Sequence, residues 1–212
     1  MTAETLKECI KVNKIKKVKL IISMYLGGNA LNVKEFYKIK KRYDCFLIED
    51  ACHALGSEYN DGNKKIRIGS CKHSDVCTFS FHPIKSITTA EGGAITTNNK
   101  KIIDKIALLR SHGIIRNDKH KHWNYDVKMH GYNFRLSDLN CALGISQLKK
   151  LKKFISCRQK IAKFYIEKLN AVSANLALPK FTNSASAWHL FVISLNFKKI
   201  KKKKETFFKY MK

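Results

Sequence analysis

The order of segments over residues 18–50 constrains the fold more than any other feature of the chain. An apolar run at 18–24, VKLIISM, is rich in β-branched residues and nearly continuous, which is typical of a strand covered on both faces. The turn YLGGN at 25–29 interrupts it, and a helical pattern follows with Asn32 as the expected N-cap. A second apolar run lies at 45–48. Strands joined through a helix are parallel, so the sequence predicts a βαβ unit in an open α/β sheet.

The rest of the chain continues this alternation of strand and helix patterns. Short apolar runs between turn residues predict strands, and apolar residues at helical spacing predict helices. Asn98 or Asn99 and Ser137 are the expected N-caps of two helices. The predicted elements are a strand at 75–81, an extended segment at 94–97, a helix after residue 99, a long loop at 116–131, a helix from 137 to about 170, and a strand at 187–193.

The chain is strongly basic, with 42 Lys and Arg against 16 Asp and Glu and a formal net charge of +26. Such a charge is typical of proteins that bind nucleic acid or an anionic surface. Here the excess is mostly lysine in scattered short runs, without an arginine-rich helix or a zinc-finger pattern. A lysine-rich solvated surface is therefore the favoured interpretation, and a basic nucleic-acid-binding module is the alternative.

The seven cysteines are an odd number at irregular spacings, and none forms a CxxC pair of the kind that binds zinc. They indicate reduced thiols and no metal site, and Cys45, Cys52 and Cys77 are expected to pack as small apolar side chains. The first residues are polar and charged, and no apolar run has the length of a membrane span. The sequence thus predicts a cytoplasmic protein without a membrane partner.

Polar side chains follow two of the predicted strands at the point where each strand ends. Asp50 comes just after the run at 45–48, Ser80 lies at the end of the strand at 75–81, and Lys85 follows that strand. Ligands of open α/β sheets bind beyond the carboxyl ends of the strands. These residues are therefore expected to converge on one site.

The chemistry of these residue types fits pyridoxal phosphate. Partial burial lowers the pKa of a lysine, and a neutral amine such as Lys85 could then attack a carbonyl group. The cofactor also needs a carboxylate beside its ring nitrogen, as Asp50 could supply, and hydroxyl or N–H donors for its phosphate, as Ser80 could supply. On spacing alone, a solvated ion pair or a helix cap is the more common role of such residues.

The amino-acid sequences of several segments resemble those of one enzyme family. The stretches LIEDACHALGSEYNDGNKKIRIGS, SDVCTFSFHPIKSITTAEGGAITTN, LLRSHGI, HGYNFRLSDLNCALGISQLKKL and AWHLFVI occur in this order. They resemble the DegT/DnrJ/StrS-type sugar aminotransferases, which have the type I fold of pyridoxal-phosphate enzymes. The resemblance implies a three-layer α/β sandwich with a mainly parallel sheet. It divides the chain into a partial cofactor-binding large domain at 1–136, a long connecting helix at 137–175, and the start of a small domain at 176–212.

The resemblance also assigns roles to residues. Lys85 corresponds to the lysine that binds the cofactor covalently and moves protons between cofactor and substrate carbons. Asp50 corresponds to the partner of the ring nitrogen, His53 to a residue near the ring hydroxyl, and Ser80 to a phosphate-binding hydroxyl. Asn133 corresponds to an asparagine that reaches the phosphate of a neighbouring subunit's cofactor, which implies a homodimer with shared active sites.

By the same resemblance, the enzyme would transfer an amino group, with glutamate as the expected donor, to the keto carbon of a nucleotide-linked deoxysugar. Lys85 argues against the related sugar dehydratases, in which a histidine replaces the lysine. His189 resembles a recurrent family histidine, for which packing is the favoured role. The family's N-terminal phosphate loop and stacking aromatic residue are not recognisable, so truncation at both ends is expected. An inactive remnant of the enzyme is a further alternative.

Overall fold

The computed structural model of the chain describes residues 1–116, 123–172, 175–179, 185–201 and 203–211. Its helices are α1 (Ala3–Val12), α2 (Val33–Tyr43), α3 (Lys100–Arg110), α4 (Asp138–Leu169), α5 (Phe197–Ile200) and α6 (Lys204–Tyr210). Its strands are β1 (Leu20–Met24), β2 (Phe46–Asp50), β3 (Glu58–Asp61), β4 (Lys64–Arg67), β5 (Val76–Ser80), β6 (Gly93–Thr96), β7 (Ile114–Ile115), β8 (Asp126–Val127), β9 (Leu176–Ala177) and β10 (Ser194–Leu195).

The central sheet has four strands in the order β1-β2-β5-β6. β1 and β2 are parallel, with Met24 opposite Asp50, and β2 and β5 are parallel, with Asp50 opposite Thr78. β6 returns antiparallel to β5. The predicted βαβ unit and the predicted α/β fold with a mainly parallel sheet are therefore confirmed.

One face of the sheet is covered by helices. Side chains of α1 and α2 pack on alternate residues of β1 and β2, and a second cluster lies between the sheet and the β3–β4 hairpin. Burial of this apolar surface is the main stabilising contribution to such a fold. The first cluster includes Ala3, Ile10, Ile21, Phe36, Ile39 and Leu47, and the second includes Tyr25, Tyr59, Ile68, Cys77 and Phe79.

The prediction that the first strand is covered on both faces is wrong for the residues that the structure describes. Leu20, Ile22 and Met24 are 45%, 55% and 40% exposed, and Phe46 of β2 is 55% exposed. The helices lie on the opposite face, where Ile21 and Leu47 are buried. An apolar run has the same composition whether one face or both faces are covered, so the sequence could not separate the two cases.

Two of the three predicted helix caps form as expected. The Asn99 side chain accepts a hydrogen bond from the Lys101 N–H, and Ser137 accepts one from the Asn140 N–H. Asn32 does not cap α2 through its side chain. It has a left-handed backbone with φ of 58°, and its Oδ1 atom instead accepts a hydrogen bond from the Ala3 N–H at 3.3 Å. Asn32 thus links the start of α2 to the start of α1.

Two other local predictions are corrected. Residues 187–193 do not form a strand, because their backbone bonds to a side chain and to a glycine turn instead of a neighbouring strand. The loop predicted at 116–131 contains β8, which pairs antiparallel with β7. Residues 117–122 of that loop lie outside the described residues.

Three cysteines were expected to pack as small apolar side chains. Cys45 and Cys77 are buried, and Cys52 is half-buried. In the described parts of the chain, no helix has the length and apolarity needed to cross a membrane.

Candidate active site

The candidate site lies at the carboxyl ends of β2 and β5, which are neighbours in the sheet. Asp50 is the last residue of β2 and Ser80 the last residue of β5. Successive side chains of a strand point to opposite faces, so Asp50 lies on the face that carries Ile48 and Ile22, away from α1 and α2. Lys85 lies in the turn after β5, where its N–H donates to the His82 carbonyl at 2.9 Å.

Lys85 and Asp50 converge on the same neighbours. Burial, a hydrogen bond to Asp50 and the Asp50 charge together raise the pKa of the Cys52 thiol to about 11, and the Lys85 charge partly opposes them. Both charges also act on the His53 imidazole, in opposite directions. Because β2 and β5 are neighbours, Asp50 and the turn that carries Lys85 lie at the same edge of the sheet, and both charges act on one thiol and one imidazole. The convergence expected from the strand ends is present.

A local turn orients the Asp50 carboxylate. Its Oδ1 atom accepts a hydrogen bond of 3.1 Å from the Cys52 N–H, two residues further along the chain. The Ala51 N–H continues the ladder to β5 by donating to the Thr78 carbonyl at 2.9 Å. The carboxylate is thus held at the sheet edge by backbone that the sheet itself fixes.

His53 packs against His189 from the distant C-terminal segment. Their ring centroids are 4.3 Å apart with an interplanar angle of 41°, and the Gly27 N–H donates to Nδ1 of His53 at 3.4 Å. Burial and then the Lys85 charge lower the pKa of His53. Burial, followed by the charges of His53 and Lys85, lowers the pKa of His189 to about 4. Both rings are therefore uncharged at neutral pH.

A glycine turn holds these segments together. Gly27 and Gly28 have φ of 70° and 94°, and a Cβ atom on Gly28 would lie 2.7 Å from the His53 carbonyl oxygen. The Ser57 hydroxyl donates to the Gly28 carbonyl at 2.6 Å and accepts from the Ala187 N–H at 3.0 Å. From the sequence, the two glycines were interpreted only as part of a turn that ends a strand, and Ser57 was not identified. The glycine pair was the one sequence signal of this contact between segments, because glycines permit two backbones to approach closely.

The turn after β5 contains Ser80, Lys85 and a buried hydroxyl. Ser80 Oγ accepts a long hydrogen bond, 3.5 Å, from the His82 N–H. Ser86 is 4% exposed, and its Oγ atom has no hydrogen-bond partner among the described residues. Buried hydroxyls are nearly always paired, so this atom beside Lys85 is suited to an oxygen or N–H group of a ligand.

Asn133 lies elsewhere. It is exposed, and its backbone forms an antiparallel bridge with Ser111. None of the contacts that the structure describes around Asp50 and Lys85 involves Asn133. The structure thus brings together Asp50, His53, Ser80 and Lys85 in one chain and leaves Asn133 at the surface.

A buried glutamate on the other face of β2 was also missed. Glu49 is 3% exposed; it accepts hydrogen bonds from the Tyr25 hydroxyl at 2.7 Å and the Ser74 hydroxyl at 3.0 Å. Burial raises the pKa of Glu49, and the two hydrogen bonds partly oppose this. Glu49 and Asp50 therefore occupy opposite faces, the first fixed in the core and the second at the site. The described residues hold no cluster of three or more His, Cys, Asp or Glu side chains suited to a metal ion.

An aspartate and a lysine that follow neighbouring strands at the carboxyl edge of a mainly parallel α/β sheet are the arrangement expected of the type I fold of pyridoxal-phosphate-dependent transferases. Comparison with protein families agrees with this class. The model of the DegT/DnrJ/EryC1/StrS aminotransferase family matches residues 1–212. The chain belongs to this family.

Similar proteins include enzymes of amino-sugar synthesis. A UDP-4-amino-4,6-dideoxy-N-acetyl-beta-L-altrosamine transaminase of Campylobacter jejuni is 51% identical over 139 residues, which cover 66% of this chain and 35% of that protein. The enzyme of the same name from Helicobacter pylori is 41% identical over 71% of this chain and 38% of its own length. The structure of Helicobacter pylori PseC, an aminotransferase of pseudaminic acid biosynthesis, matches with a TM-score of 0.79 and 33% identity over 94% of this chain and 53% of that one. The chain thus spans about half the length, or less, of these relatives.

Proposed function

We propose that this chain is the lysine-bearing part of a pyridoxal-phosphate-dependent aminotransferase. The enzyme transfers an amino group from glutamate to the keto carbon of a nucleotide-linked deoxysugar. The observation that carries this function is the convergence of Lys85 and Asp50 on Cys52 and His53 at the sheet edge. The family match and the names of the relatives support the reaction and the substrate class. They favour an enzyme over the nucleic-acid-binding alternative.

The residues at the site fit pyridoxal phosphate. Lys85 would bind its aldehyde carbon, Asp50 its ring nitrogen, His53 its ring hydroxyl and Ser80 its phosphate. The unpaired, buried Ser86 hydroxyl is a further polar atom suited to such a ligand. When bound, the cofactor supplies an electron sink for the carbanion formed at a substrate carbon.

Each side chain then has a defined task. The Lys85 amine takes a proton from the donor's α-carbon and later delivers one to the sugar carbon that receives the amino group. The Asp50 carboxylate, oriented by the Cys52 N–H, keeps the ring nitrogen protonated. Neutral His53 accepts the Gly27 N–H at Nδ1, so its proton resides on Nε2, where it can donate to an oxygen.

The assembly is part of the proposal. Asn133 is exposed and stands apart from the Asp50–Lys85 pair, as a residue that serves a second subunit would be. We infer a homodimer with shared active sites. The division into a partial large domain at 1–136, a connecting helix at 137–175 and the start of a small domain at 176–212 is likewise proposed. The free cysteines fit a cytoplasmic enzyme.

The test is cofactor uptake by the purified chain. Pyridoxal phosphate bound to a lysine absorbs visible light, and borohydride reduction makes the link permanent for peptide mapping. We expect a visible band in the wild type and in Lys100→Ala, an exposed control on α3, and no band in Lys85→Ala. A reduced adduct mapped to Lys85, and loss of the band on adding glutamate, would support the reaction. A band unchanged in Lys85→Ala would refute the assignment.

A further inference from the structure

The C-terminal segment at 186–191 is bound to the candidate site although it has no regular secondary structure. The His189 N–H donates to the Gly27 carbonyl at 2.8 Å, and the Ala187 N–H donates to Ser57 Oγ at 3.0 Å. Ala187 and Ser57 are completely buried. These bonds fix the backbone of the segment and bring the His189 ring against His53, with 4.3 Å between centroids.

One residue, Gly27, is bonded to both histidines through its backbone. The Gly27 carbonyl accepts from the backbone of His189, and the N–H of the same residue donates to Nδ1 of His53 at 3.4 Å. The bond to Nδ1 is long and would not by itself hold the His53 ring in one plane. The His189 ring, tilted by 41° against the His53 ring, adds a second restraint.

We propose that His189 is a positioning residue of the site: by packing against His53, its ring restrains the ring orientation that keeps Nδ1 on the Gly27 N–H and the proton on Nε2. This role rests on the proposed function in so far as His53 serves the cofactor. An uncharged ring is needed here, because an imidazolium at position 189 would be repelled by the Lys85 ammonium and by any charge on His53. His189 is uncharged at neutral pH because burial and these neighbouring charges lower its pKa.

A role in packing alone has a different consequence. If His189 only filled space between two segments, its replacement would change the stability of the fold without changing the tautomer of His53. The proposal instead makes the tautomer and the titration of His53 depend on the ring at position 189. These two properties can be measured without cofactor.

The experiment records the ring ¹⁵N chemical shifts of His53 across pH in the labelled, cofactor-free chain. We expect the Nε2-protonated tautomer in the wild type, with a pKa below the usual histidine value. His189→Gln keeps much of the volume but removes the ring, so water reaches His53. The tautomers should then mix, and the pKa should rise toward the usual value. His189→Phe restores a ring and should restore the wild-type tautomer.

Leu190→Ala is the matched control, because this neighbouring side chain is 44% exposed and lies outside the ring pair. It should leave the His53 signals unchanged. A folded His189→Gln protein with wild-type His53 shifts and titration would overturn the proposal. So would an Nδ1-protonated or mixed tautomer in the wild type, a result that does not depend on whether any variant folds.

A second readout separates this inference from the proposed function. In His189→Gln, the dissociation constant for pyridoxal phosphate should rise by about tenfold, the effect of losing roughly one well-placed hydrogen bond. An unchanged constant would count against the inference. Absence of cofactor binding in the wild type would count against the proposed function, whereas the tautomer measurement decides the role of His189 by itself.

Discussion

Ser57 and Ala187 are 130 residues apart in the sequence and are joined by a hydrogen bond of 3.0 Å in which both residues are fully buried. The same Ser57 hydroxyl donates to the Gly28 carbonyl at 2.6 Å. One hydroxyl therefore connects the glycine turn after β1, the segment after Asp50 and the C-terminal segment that carries His189.

Ser57→Ala should destabilise the protein strongly for so small a change. It removes two hydrogen bonds and leaves a buried N–H and a buried carbonyl unpaired, which costs about 2–4 kcal/mol if each group contributes about 1–2 kcal/mol. Urea unfolding measures the difference. Ser156→Ala, at an exposed position of α4, is the control and should change the free energy of unfolding by less than about 0.5 kcal/mol. Equal stability of the two variants would contradict the central role of Ser57.

Gly28→Ala should disrupt the meeting of these segments. The new Cβ atom would lie 2.7 Å from the His53 carbonyl oxygen and 3.1 Å from the Trp188 nitrogen, at a φ of 94°. Backbone atoms cannot swing aside as side chains do, so we expect a loss of more than about 2 kcal/mol. Gly62→Ala is the matched control: its φ is 60°, and its Cβ would meet no atom within 4 Å. It should cost only about 1 kcal/mol of backbone strain, and a similar loss in both variants would show that the close approach is unimportant.

The buried carboxylate of Glu49 predicts a pH dependence. Its pKa is raised by burial, so the stability it contributes is present at low pH and is lost as the pH rises through the folded-state value. Glu49→Gln removes this titration. Compared with the variant, the wild type should therefore lose stability as the pH rises above about 4, the ordinary range of a glutamate.

Unfolding curves of both proteins at several pH values measure this difference. Glu8→Gln makes the same chemical change at an exposed position and is the control. A constant difference between wild type and Glu49→Gln over this range would show that burial does not perturb the carboxyl group.

The residues at the strand ends were predictable because hydrophobic periodicity, and the order of strands along the chain, can be read directly from the sequence. The runs at 18–24 and 45–48 predicted a parallel pair, and the ends of the runs at 45–48 and 75–81 placed Asp50 and Lys85 at one edge of the sheet. Period-two alternation along β2 also places Glu49 and Asp50 on opposite faces.

The residues that escaped prediction depend on contacts between distant segments. Residues 187–193 have the apolar pattern of a strand, but their partners are Ser57 and the Gly27 carbonyl, and no local pattern identifies either. Asn32 likewise has the composition of a cap, yet its side chain bonds to Ala3 in another helix. Tertiary hydrogen bonds override local preference at both places.

The carboxylate of the site can be tested by a readout that needs no cofactor. Asp50→Asn preserves the shape of the side chain and an oxygen that can accept the Cys52 N–H, so the fold should remain intact. It removes the charge and the charged acceptor, both of which raise the pKa of the Cys52 thiol. The pKa of Cys52 should therefore fall below about 11 but stay above the usual value, because burial, the largest cause, remains.

The rate of Cys52 alkylation as a function of pH, followed by peptide mapping, measures this change, with exposed Cys9 as an internal reference. Cofactor binding supplies the second readout. Without a carboxylate to hold the proton of the ring nitrogen, affinity for pyridoxal phosphate should drop by about tenfold or more, the effect of a charge-assisted hydrogen bond. If the alkylation profile shifts while cofactor affinity stays at the wild-type value, Asp50 lies beside Cys52 as described but does not serve the cofactor. Such a result would refute the proposed role of Asp50, since Lys85 and the carboxylate would then be neighbours without a common ligand.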